Sequence, residues 1–130
     1  MKYVILIHSN PEPWGHPTSH YTAAGRAIPP ERKAEQDRQF EALLTEIAGS
    51  GELVHAEALG DPASSTLFGR DADATVPTEG PYAETKEHLA GFFLIDVEGR
   101  ERAEEIAAQF AGPGETIELR PGMAPGGDDR

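Results

Sequence analysis

Two stretches of this chain leave few choices for its fold. Lys2 to His8 puts Tyr3, Ile5 and Ile7 on one side of an extended backbone and Val4 and Leu6 on the other. His88 to Val97 does the same, with Leu89, Phe93, Ile95 and Val97 opposed to Ala90, Phe92 and Leu94. A strand wetted on one side alternates apolar with polar residues, and neither of these does. Both must therefore be covered on two faces.

The cover on one face is legible. Pro29-Pro30-Glu31 opens a helix, since proline is tolerated in a first turn and an acid suits a helix N-terminus. Phe40, Leu43, Leu44 and Ile47 then form a single stripe, and Gly49-Ser50-Gly51 ends it. A second helix over Gly99 to Phe110 repeats the spacing with Ala103, Ile106, Ala107 and Phe110. Between them lie a strand from Glu52 to Leu59 and a short ribbon, Ser64 to Gly69 and Ala72 to Pro77, turning at Arg70-Asp71. Leu53, His55, Glu57 and Leu59 share one side of that strand. Thr116 to Leu119 supplies the last strand.

The order is β-α-β-(ββ)-α-β, an α+β chain of ferredoxin-like pattern. Residues 1–121 form one domain, and 122–130 read as a flexible acidic tail. Two helices cover one face of such a sheet only. The expected cover for the other is a second copy packed sheet to sheet, a homodimer built as a dimeric α+β barrel.

Composition narrows the function. A formal charge of −12 with 11 dispersed basic residues argues against nucleic acid, which demands clustered Lys and Arg. No apolar run approaches the ~20 residues that span a bilayer, and Met1 to Ile7 reads as a strand rather than a leader. The chain has no cysteine, which removes thiol nucleophiles and thiolate metal sites and agrees with a cytoplasmic location.

The candidate chemistry rests on histidines and carboxylates. His8 closes the first strand, where a side chain faces the end of the sheet. His55 and Glu57 share a strand side and could exchange a proton. His16 and His20 have the spacing of a metal pair, but Pro17 breaks regular helix there and no third ligand follows, so no metal is assigned. Nothing in the chain calls for a cofactor. The irregular stretch from Ser9 to about Pro29 has the length of a lid or binding loop, with Trp14 as a candidate wall.

Thr78-Glu79-Gly80-Pro81-Tyr82-Ala83-Glu84-Thr85-Lys86-Glu87 is the most distinctive run. It resembles the signature of the YCII-related family, in the branch with an Asp-Gly-Pro-Phe-Ala-Glu-Thr-Lys-Glu motif; Glu79 stands for the first Asp and Tyr82 for the Phe. The resemblance implies a dimeric α+β barrel. It also implies a functional link to a sigma factor, as in members of that branch, and a small dimeric protein that binds a small polar ligand or serves as an accessory module. Pro81, Tyr82, Glu84, Thr85 and Lys86 would then line the ligand site, with Lys86 anchoring an anionic group. The alternative is an acid–base enzyme of isomerase, lyase or dehydrochlorinase type acting on a small aromatic-derived substrate. Enzymatic relatives use a His-Asp pair with the histidine on the first helix; that position falls at Phe40 here, so the proton-transfer residue is expected to be missing.

Overall fold

The computed structural model describes residues 1–81 and 86–123. Strand β1 (Lys2–Ser9) leads through a short helix α1 (Ala23–Arg26) into the long helix α2 (Pro30–Ser50). Then come β2 (Leu53–Ala58), the ribbon strands β3 (Thr66–Asp71) and β4 (Ala74–Glu79), β5 (His88–Asp96), helix α3 (Arg100–Ala108) and β6 (Thr116–Pro121). The main sheet is antiparallel in the order β2-β5-β1-β6, consistent with a ferredoxin-like arrangement; β3 and β4 form a separate two-stranded sheet.

The doubly apolar strands take the two central places, β5 and β1. Tyr3, Ile5, Ile95 and the half-buried Phe93 meet the α2 and α3 stripes. Ile5, Ile47, Ile95 and Ile106 are fully buried, each contributing roughly 1.5–3 kcal/mol by leaving water. Arg102 of α3 ties this layer down. Its Nε and Nη2 donate to Glu52 at 2.8 and 3.0 Å, and Nη2 also reaches Glu46 at the end of α2, at 3.1 Å. Hydrogen bonds from Arg102 and Ser50 bring the Glu52 carboxyl down to about 2. Gly51 ends α2 at φ 83°, a left-handed position that only glycine takes freely.

Two bulges shift the expected faces. One, between Leu53 and His55, leaves Leu53 packed on the core while His55 and Glu57 turn to the opposite side. The other, between Ile7 and His8, puts Leu89 opposite His8 and leaves it 40% exposed instead of alongside Phe93. The ribbon turns at Ala72, with φ 54°, two residues later than Arg70-Asp71. The side of the main sheet away from the helices carries Val4, Leu6, Phe92 and Leu94, all half-buried, on the central strands. His55 and Glu57 flank them on β2, and Glu118 and Arg120 on β6. No helix of the described residues is long and apolar enough to cross a membrane.

Candidate functional site

On the helix side, residues of the sheet, of α2, of the segment after β1 and of the segment after α3 line an open cavity of about 900 Å³. Its apolar lining comes from Ile7, Phe40, Leu44, Ala90, Phe93 and Phe110. Phe40 packs edge-on against both Phe93 and Phe110, with centroids 6.3 and 5.3 Å away. Phe40, where the resemblance places the histidine of enzymatic relatives, is thus part of an aromatic wall.

The roof is the long segment after β1, and it is bound down at both sides. Trp14 Nε1 and His16 Nε2 both donate to the Leu59 carbonyl, at 2.9 and 2.7 Å. Trp14 therefore anchors the roof rather than lining the cavity. On the other side, the Thr18 hydroxyl donates to Glu115, and Thr22 Oγ1 donates to the Pro113 carbonyl at 2.7 Å. Thr22 also caps α1 by accepting from Gly25 N at 3.0 Å. A Cβ on Gly25 would fall 1.6 Å from the Ser19 carbonyl oxygen, so this corner needs glycine.

This roof sets His20 against α2. His20 Nε2 donates to Asp37 Oδ1 at 2.8 Å, and both residues border the cavity. Since Nε2 is committed to the carboxylate, Nδ1 is the nitrogen left with a lone pair. Helix α2 thus provides the acid, and the loop provides the imidazole that the helix lacks. Asp37 lies one turn before Phe40 on the same apolar stripe, and a carboxylate on such a stripe is the sequence signal for it. Nothing in the residue spacing pairs His20 with it, because the contact depends on the path of the roof.

Glu115 is another carboxyl of the cavity wall, beside Glu41 and Glu57. Burial raises its pKa; hydrogen bonds from Thr18 and the Gly112 and Ser19 amides, and the nearby His16, act the other way. It holds the roof to the segment after α3.

The other histidine pairs lie across the sheet. His8 Nε2 meets Glu118 Oε1 at 2.9 Å, on the side away from the helices. Hydrogen bonds from Arg120 and then His8 lower the Glu118 pKa. His55 Nε2 meets Glu57 Oε1 at 3.0 Å with both side chains more than half exposed. Glu57 borders the cavity at the β2 edge, but its carboxyl turns to His55 on the far face. Lys86 is exposed, and Pro81 borders a second, shallower recess with His88 and Leu89. Tyr82, Glu84 and Thr85 lie outside the described residues. No cluster of three or more metal-ligating side chains forms among the described residues.

Fold and cavity together define an α+β domain with a small-molecule-sized pocket between one helix and the sheet. The particular family follows from comparison: residues 1–114 match the YCII-related domain, and the chain belongs to that family. It is also 30% identical over 74 residues to an uncharacterised protein of Rhizobium meliloti (strain 1021). That match covers 57% of this chain and 60% of the relative.

Proposed function

We propose that this protein is an acid–base enzyme acting on a small molecule in the helix-side cavity, with His20 as the base and Asp37 as its orienting partner. The observation that carries this reading is the 2.8 Å His20–Asp37 bond at the edge of a cavity with an apolar lining. Asp37 holds the Nε2–H tautomer and stabilises the imidazolium that forms. His20 Nδ1 removes a proton from a carbon beside an electron-withdrawing group of the substrate. The electron pair released moves into that group, or forms a double bond as a leaving group departs with its bonding pair. In the first case the imidazolium returns the proton at another carbon. The His-Asp pair implied by the family resemblance supports the same chemistry, with the histidine supplied by the loop.

The accessory-module reading, with its sigma-factor link, rests on the signature run and lacks a comparable geometric support. We further propose that the signature places the chain in the Gly-Pro-containing branch, that the protein is cytoplasmic, and that two copies pair through Val4, Leu6, Phe92 and Leu94 into a dimeric barrel. The apolar centre and charged margins of that face support the pairing.

The test is a panel of carbonyl and halogenated ring compounds, followed for solvent deuterium incorporation or halide release. Wild type should turn over at least one member. Asp37→Asn should lower kcat about 10²-fold or more with little change in KM, as loss of the oriented tautomer requires. Turnover unaffected by Asp37→Asn would rule the dyad out.

A further inference from the structure

The cavity has a charge character that selects among substrates. Among its described lining residues there is no Lys or Arg, whereas Asp37, Glu41, Glu57 and Glu115 all border it, the Glu57 carboxyl being turned to His55. The chain as a whole carries −12, so no distant field compensates. Asp37 is occupied by His20 and Glu115 by Thr18 and the Gly112 amide. His16 is held by the Leu59 carbonyl, and Glu41 is an exposed carboxylate at the border. Of the neutral polar residues that line the space, Gln36 and Ser19 make no side-chain hydrogen bond among the described residues. An amide can donate to and accept from a hydroxyl or carbonyl, but cannot neutralise a carboxylate or phosphate.

From this we infer that the cavity takes ring-sized molecules bearing no negative charge, with hydroxyl or carbonyl substituents met by Gln36 and Ser19, and discriminates against carboxylates and phosphates. The inference rests on the His20–Asp37 cavity being the substrate site and names the class of molecule that enters it. An anion would lose its hydration among Ile7, Phe40, Phe93 and Phe110 with only the imidazoles of His16 and His20, each already bonded, to offset the loss, and the carboxyls of Asp37, Glu41 and Glu115 would repel it. The anionic anchor expected of Lys86 does not serve this cavity, since Lys86 is not among its walls.

The experiment is an NMR titration of the full chain with benzyl alcohol, benzylamine and benzoate, read at the amides of Ala90, Gly91 and Ala111. The alcohol and the amine should move these resonances with dissociation constants within a few fold of each other, and benzoate should bind about tenfold more weakly or worse. In Glu41→Gln, a variant outside the dyad, the disadvantage of benzoate should shrink by about two- to threefold. Benzoate binding as well as the alcohol overturns the inference, as do failure of all three to bind, unchanged discrimination in Glu41→Gln, and shifts that map to Val4 and Phe92 instead. The two readings fail separately. Binding in the expected order without turnover of any compound removes the enzyme and keeps the selectivity, whereas turnover lost in Asp37→Asn with benzoate as the tightest ligand does the reverse.

Discussion

The two faces of the sheet carry the same chemical vocabulary in different surroundings. On the helix side, His20 meets Asp37 at 2.8 Å; on the other, His8 meets Glu118 at 2.9 Å and His55 meets Glu57 at 3.0 Å. Distance does not separate them. Exposure does not separate them either, since the Asp37 side chain is 50% exposed against 37% for Glu118 and 55% for Glu57. What separates them is the space beside each pair. His20 and Asp37 both border the aromatic-lined cavity, whereas His8 and His55 do not. A histidine–carboxylate pair becomes chemically useful where a substrate can lose water next to it, and the proposed assignment rests on that condition.

The contrast can be broken from either side. The largest effect is expected on the open face. Leu6→Asp places a charge in the centre of the proposed dimer contact and should cost about 3 kcal/mol or more, a dissociation constant raised over a hundredfold. Sedimentation velocity across a concentration series should show monomer where wild type shows dimer, with the far-UV spectrum unchanged. A monomeric wild type would remove the sheet-to-sheet pairing.

On the covered face, Gly25→Ala forces a methyl against the Ser19 carbonyl and should destabilise by about 1–3 kcal/mol. Gly49→Ala is the control, since nothing lies within 4 Å of its added carbon, and it should gain up to about 1 kcal/mol from helix propensity. Thermal unfolding of the two variants should therefore move in opposite directions. Equal melting points would mean that the roof does not hold the corner in the way its contacts indicate.

The smallest effect is a pH dependence. Glu52 titrates at about 2 when folded against an ordinary 4.5, so its ionised form favours the folded state. The contribution is complete above about pH 4.5 and disappears as pH falls towards about 2. Wild type should lose melting temperature faster than Glu52→Gln through that window, and the two slopes should match above it.

The central strands were legible because Tyr3 to Ile7 and Leu89 to Val97 are apolar on two faces, and a backbone of period two leaves no other reading. Both helices followed from their stripes. The side assignments of Leu53 and Leu89 were lost to bulges, which insert one residue without a signature in the side chains. The site was half legible. Asp37 lies one turn ahead of the apolar stripe and could have been flagged, whereas His20 is brought to it by contacts from Leu59, Pro113 and Glu115, remote in sequence. The resemblance places the relatives' helix histidine at Phe40; the imidazole that the structure sets beside α2 is His20, from the roof.

The most direct measurement is kcat/KM, on whichever panel compound wild type turns over, for His20→Ala beside His8→Ala and His55→Ala. With chemistry on the helix side, His20→Ala falls about 10²-fold or more while the other two stay within about threefold of wild type. Activity retained by His20→Ala and lost in His8→Ala or His55→Ala would move the reaction to the open face and contradict the assignment.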